Sequence, residues 1–257
     1  MKSYIYFVST LALLSLVLAA CSPAPILAEE DAMPRGSATV NGSDVDYFEG
    51  ISGYMAAPTE NPDAPGVILI HEWWGLNEQM KETADRVASH GYRVLAVDLY
   101  NGKVATTREQ AQQYRNAVTQ DGATVNLRAA QAYLVDQGSD RVASWGYCFG
   151  GGQSMDLALS DVPIDAAVVY YGSLQNAIAS PEDVTKPLLL VFGTADITTT
   201  AESAQELVSL LPEGSVEIHL YEGMGHAFAN PSNPDHNKTA TRDAWDKTLA
   251  FLNEQLI

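Results

Sequence analysis

The stretch Ser144-Trp145-Gly146-Tyr147-Cys148-Phe149-Gly150-Gly151-Gly152 constrains the fold more than any other part of the chain. Arg141-Val142-Ala143 before it reads as the end of a strand, and Gln153 to Leu159 after it reads as a helix. Gly146-x-Cys148-x-Gly150 therefore predicts a strand-to-helix turn that lifts a side chain off the edge of a sheet, the setting of a nucleophile elbow with sulfur in place of oxygen. Glycine suits such a turn because a residue without Cβ relieves the crowding around the lifted side chain. Cys148 also falls at a helix N-terminus, whose partial positive charge favours an anion there. The plainer alternative is a small core cysteine beside a glycine-rich packing contact.

The N-terminus is expected to be removed. Met1-Lys2 is a short basic start, and the apolar stretch Ile5 to Ala20 is shorter than the ~20 residues of a spanning helix. Residues 1–20 therefore read as a signal peptide. Its ending, Leu18-Ala19-Ala20-Cys21, resembles the lipobox of bacterial lipoproteins, which implies a lipid on Cys21 and an exported, membrane-anchored protein facing the periplasm or cell exterior. Cleavage further on, near Ala28, would give a soluble secreted form instead. Residues 21–36 read as a linker and 37–257 as one domain of a size that buries a full core. The chain has two cysteines, so a lipid on Cys21 leaves Cys148 as an unpaired thiol in an exported protein, which calls for a chemical explanation. A net charge of -18 argues against nucleic acid or an anionic membrane surface as partner.

Past the linker, the chain alternates strands and helices. An antiparallel hairpin is expected from Ser37 to Ala57, turning at Asn41-Gly42. Gly66 to Ile70 and Tyr92 to Leu99 are continuous apolar runs, as in strands buried on both faces. Helical spacing follows from Glu78 to His90, about 107–119 and about 122–137. Further strands are expected at Ala166–Tyr171, Pro187–Phe192 and Val216–Tyr221, with helices at Ala201–Leu211 and Asn237–Leu256. That order predicts an α/β fold: a mostly parallel central sheet with helices on both faces, an N-terminal antiparallel hairpin and no large cap domain. In such sheets a site lies at the carboxyl ends of the strands. His71-Glu72-Trp73-Trp74, Cys148, Asp196 and His226 all fall there.

A thiol nucleophile needs a base, and the base needs an orienting partner. Cys148, Asp196 and His226 supply these in the chain order nucleophile, acid, histidine. Asp196 as a turn residue and His226 as a loop histidine are the plainer alternatives for each taken singly. Glu72, ending an apolar strand, is expected to be desolvated. The backbone N–H groups of Trp73 and Phe149 are the candidate oxyanion donors, and Trp73 and Trp74 are either pocket walls or core aromatics.

With these residues in hand, the chain resembles the dienelactone hydrolase family of the α/β-hydrolase superfamily. The likeness lies in Val67 to Asn77, Val97-Asp98-Leu99-Tyr100, Gly146-Tyr147-Cys148-Phe149-Gly150-Gly151, Tyr170-Tyr171-Gly172, Gly193-Thr194-Ala195-Asp196 and Tyr221 to Phe228. It implies carboxymethylenebutenolidase-like hydrolysis of a small ester or lactone through a thioester, with no cofactor and no metal. Cys148 would be the nucleophile, His226 the base and Asp196 its orienter, with Glu72 interacting with the resting thiol. Trp74, Tyr100, Tyr147 and Phe228 are expected to line the substrate pocket, and the protein is expected to act as a monomer. Where the family holds a substrate carboxylate with arginines, this chain has Asn101-Gly102-Lys103 and Asn230, and a lysine lacks the two-point fork of arginine. A neutral substrate follows as the expectation. A non-catalytic ligand-binding lipoprotein on the same fold is the alternative; a thiol redox protein is disfavoured, because no second cysteine remains to resolve a disulfide.

Overall fold

A computed structural model describes residues 32–257. The expected signal peptide, Cys21 and most of the expected linker lie outside the described residues. The strands are β1 (Val40–Phe48), β2 (Ile51–Pro58), β3 (Gly66–Ile70), β4 (Arg93–Val97), β5 (Val142–Tyr147), β6 (Ala166–Tyr170), β7 (Leu188–Gly193) and β8 (Val216–Tyr221). The helices are α1 (Glu78–Ala88), α2 (Arg108–Ala117), α3 (Gln120–Asp136), α4 (Phe149–Leu159), α5 (Gln175–Ala179), α6 (Ala201–Leu210) and α7 (Lys238–Leu256). The short α5 and the 3-10 turn Pro181–Asp183 after it carry no periodic apolar pattern and were not expected.

All eight strands form one sheet in the order β1-β2-β4-β3-β5-β6-β7-β8. Strands β4 to β8 and β3 run parallel, and β2 pairs antiparallel with β1 and β4. Strand residues alternate between two cores, as a side-chain period of two demands. Val67, Leu69, Trp145, Val168 and Tyr170 pack on one face with α1 and α7. Ile68, Ile70, Val169, Leu190 and Phe192 pack on the other with α3, α4 and α6.

The hairpin is present, but its turn is not at Asn41-Gly42. Those residues lie inside β1, opposite Ala57 and Ala56. The chain reverses at Glu49-Gly50, where φ is 43° and 80°, the positive pair that a two-residue hairpin loop needs. Gly42 has a packing role instead, since a Cβ there would run into the Tyr54 hydroxyl. The end of the stretch expected as linker also differs. Met33 is buried, the Gly36 N–H donates to Ser89 Oγ at 2.8 Å, and Arg86 donates to the Met33 carbonyl, so these residues pack on the C-terminal end of α1. Among the described residues no helix is long and apolar enough to cross a membrane.

Candidate active site

Four strand ends converge at the carboxyl edge of the sheet. Cys148 stands between β5 and α4 with φ 52° and ψ -113°, a conformation that side chains rarely adopt. The packing beneath it accounts for the strain. A Cβ at Gly146 would overlap the Gly150 carbonyl, and one at Gly150 would overlap the Ile70 carbonyl. The first turn of α4 is therefore pressed against the ends of β5 and β3, and the cysteine must rise out of the sheet. Tyr171 and Ala227, at φ 38° and 58°, share the same strained region of backbone next to the site.

The loop after β8 brings His226 to the sulfur, with Nε2 3.1 Å from Cys148 Sγ. Its Nδ1 lies 2.7 Å from Asp196 Oδ2, on the loop after β7. Asp196 is held by four donors: the Thr198 and Thr199 amides at 2.7 and 3.1 Å on Oδ1, and Thr199 Oγ1 at 2.9 Å with His226 on Oδ2. Burial pushes its carboxyl up, but these bonds outweigh that and keep it below the usual carboxylate range. For His226, burial opposes the charge, while the hydrogen bonds to Asp196 and Cys148 carry its pKa up to about 10.

Glu72 sits just past β3 and is buried. Burial raises its carboxyl to about 6, against the opposing pull of Asn230, His226 and Tyr171. Asn230 Nδ2 donates to Oε2 at 2.5 Å and the Tyr171 hydroxyl to Oε1 at 3.4 Å. The expected contact of Glu72 with the resting thiol is not the arrangement present. The sulfur is engaged with His226, and the carboxylate is turned to the asparagine, whose amide reaches it first.

A cavity of about 1000 Å³ opens over Cys148 and His226. Trp74, of the expected pocket residues, lines it together with Glu72, Trp73 and Phe149. Tyr100, Tyr147 and Phe228 do not, which corrects the expected pocket. Tyr147 is a strand residue of the same parity as Trp145, so its ring enters the core under α1 and α7. Phe228 is fully buried between the Tyr171 and Tyr221 rings, at 5.8 and 5.1 Å. Tyr100 lies behind the wall, 4.7 Å from His71 and 5.7 Å from Phe149. Lys103 sits over the Tyr114 ring at 5.5 Å and is absent from the cavity wall. Two arginines not singled out in the sequence, Arg108 and Arg115, do line it. Their spacing of seven residues puts both on one face of α2, a signal present in the sequence but mute until the face is known. Among the described residues no group of three histidine, cysteine or acidic side chains could hold a metal ion.

Comparison with known proteins decides the lineage. The family model for the dienelactone hydrolase family matches residues 51–256. The chain belongs to the dienelactone hydrolase family. Protein usf of Aquifex pyrophilus is 30% identical over 220 residues, covering 80% of this chain and 94% of its own. The carboxymethylenebutenolidase of Pseudomonas putida is 29% identical over 230 residues, covering 82% and 95%. Among solved structures, a dienelactone hydrolase-like promiscuous phosphotriesterase from metagenomic libraries superposes with a TM-score of 0.71 at 22% identity, covering 85% of this chain and 99% of that one. The expected α/β architecture is the family's fold, helices on both faces of a mostly parallel sheet.

Proposed function

We propose that this carboxylic ester hydrolase works through a cysteine acyl-enzyme. The observation that carries the proposal is the unbroken chain Sγ–Nε2, Nδ1–Oδ2, at 3.1 and 2.7 Å. His226, charged through its bonds to Asp196 and Cys148, holds the proton it shares with the sulfur as Cys148 Sγ attacks the ester carbonyl carbon. The carbonyl oxygen becomes an oxyanion in reach of the Trp73 and Phe149 N–H groups. Collapse breaks the carbon–oxygen bond, and the alcohol leaves with the proton from His226. Water, deprotonated by the same imidazole, then cleaves the thioester and returns the thiol. Asp196 holds Nδ1–H and so presents Nε2 to sulfur, and no step calls for a cofactor.

The deciding experiment is turnover of a neutral aryl acetate by wild type and Cys148→Ala, with mass spectrometry of the acylated protein. Loss of turnover and an acetyl group on Cys148 are expected. Retained turnover in the alanine variant would overturn the thioester route.

Lys103 and Asn230, in place of arginines, support a neutral ester or lactone as substrate. Asn230 is committed to Glu72, and Lys103 to the Tyr114 ring. Arg108 and Arg115 favour a second reading, an ester bearing an anionic group that reaches the α2 wall. Steady-state comparison of neutral aryl acetates with a carboxylate-bearing lactone separates the two. A preference for the acid that disappears in Arg108→Ala or Arg115→Ala would replace the neutral reading.

Export with a lipid on Cys21 is proposed from the sequence Leu18-Ala19-Ala20-Cys21. Metabolic labelling with a fatty acid, lost in Cys21→Ser, is the expected result. An unlabelled protein in the medium would favour the soluble secreted form.

A further inference from the structure

His71 has no part in the chemistry above, yet it is fully buried at the end of β3, beside both oxyanion candidates. Its Nε2 accepts the Leu99 N–H at 3.1 Å. A backbone amide only donates, so the ring proton is on Nδ1. That proton is donated to the Glu72 carbonyl oxygen at 2.6 Å, and the Gly75 N–H approaches the same oxygen at 3.3 Å.

The carbonyl and N–H of a trans peptide point in opposite directions. Pinning the Glu72 oxygen therefore aims the Trp73 N–H of the same peptide away from it. Among the described residues neither the Trp73 nor the Phe149 N–H has a protein acceptor, and both residues line the cavity with Cys148. The His71 ring also lies 6.0 Å from the Phe149 ring. We propose that His71 is a positioning residue that fixes the Glu72–Trp73 peptide and so aims one of the two oxyanion donors. The assignment rests on the thioester route proposed above. Its neutral imidazole ties this peptide to the end of β4 through Leu99, so the donor moves only if two strand ends move together.

The test uses His71→Phe, which keeps the ring volume and loses both hydrogen bonds, and His71→Asn, whose amide N–H replaces Nδ1–H. Three rates are compared: hydrolysis of an aryl acetate, alkylation of Cys148 by iodoacetamide, and inhibition by an aldehyde that adds to the thiol as a tetrahedral oxyanion. Alkylation builds no oxyanion. His71→Phe is expected to lose about 10- to 100-fold in kcat, with KM and the alkylation rate within about twofold of wild type. Aldehyde affinity should fall by the same factor as kcat, and His71→Asn should recover most of both. Alkylation falling in step with kcat, an unchanged kcat, or an asparagine variant no better than phenylalanine would overturn the proposal. Should the phenylalanine variant fail to fold, His71→Gln, whose amide reaches the Nε2 position instead, takes its place and is expected to be worse than asparagine. Activity surviving in Cys148→Ala sinks the thioester route itself; a dead Cys148→Ala with a normal His71→Phe sinks only this assignment.

Discussion

The loops after β7 and β3 each bury one carboxylate, Asp196 at 4% and Glu72 at 6% exposure, and treat it in opposite ways. Asp196 meets four donors, one of them a histidine that gains charge, and is held below the usual range. Glu72 meets two neutral donors and is pushed up to about 6. Similar exposure thus gives unequal acids, because Glu72 lies more deeply enclosed and loses more water, while Asp196 gains more donors and a charged one. One carboxylate is built to remain an anion beside His226. Its neighbour is left poised to hold a proton in mildly acidic solution.

The largest break in that contrast is Asp196→Asn. It removes the charge opposite His226 and reverses the preferred imidazole tautomer, so kcat is expected to fall on the order of 10³-fold, measured on an aryl acetate with Cys148 titrated in parallel. A loss under tenfold would mean that the sulfur and imidazole suffice alone.

Glu72→Gln sharpens the other side. A carboxyl moved from an ordinary 4.5 to about 6 binds more protons folded than unfolded, so its contribution favours folding below 4.5 and is lost as pH rises through 6. The loss is about 2 kcal/mol. Urea unfolding should therefore find the glutamine variant about 2 kcal/mol more stable relative to wild type at pH 8, and level with it at pH 4. The same difference at both pH values would show that the carboxylate is not penalised by its surroundings.

The smallest change is Thr199→Val, which keeps the shape and deletes the hydroxyl shared between Asp196 Oδ2 and the Tyr171 carbonyl. Removing one of four donors should cost about 1 kcal/mol in stability and, by leaving Oδ2 to His226 alone, raise the pKa of His226 further. The pH profile of kcat/KM is the measure, and an unmoved profile would assign Thr199 to loop packing alone.

Much of this architecture could be read in the sequence, for physical reasons. Strands buried on both faces are unbroken apolar runs, so Gly66–Ile70 and Leu188–Gly193 announce themselves. A turn that must avoid Cβ leaves glycines, so Gly146 and Gly150 mark the elbow. What stayed hidden depends on which way a side chain points. Tyr147 and Phe228 looked like pocket residues because they adjoin reactive ones, but strand parity turns Tyr147 into the core, and the loop after β8 folds Phe228 between the Tyr171 and Tyr221 rings. Arg108 and Arg115 gave no local sign of facing the cavity. Asn41-Gly42 is a strong hairpin signal, yet Glu49-Gly50 takes the turn, and Gly42 lies within β1 opposite Ala56 and against the Tyr54 hydroxyl.

The distance along the chain between sulfur and imidazole has a biosynthetic meaning. Cys148 is made 78 residues before His226, and β6, β7 and β8 must all join the sheet in between. A chain emerging from the ribosome therefore carries Cys148 with no imidazole beside it. On the proposed thioester route, the sulfur acquires its base only when the last strand docks, so acyl transfer is a property of the finished sheet alone.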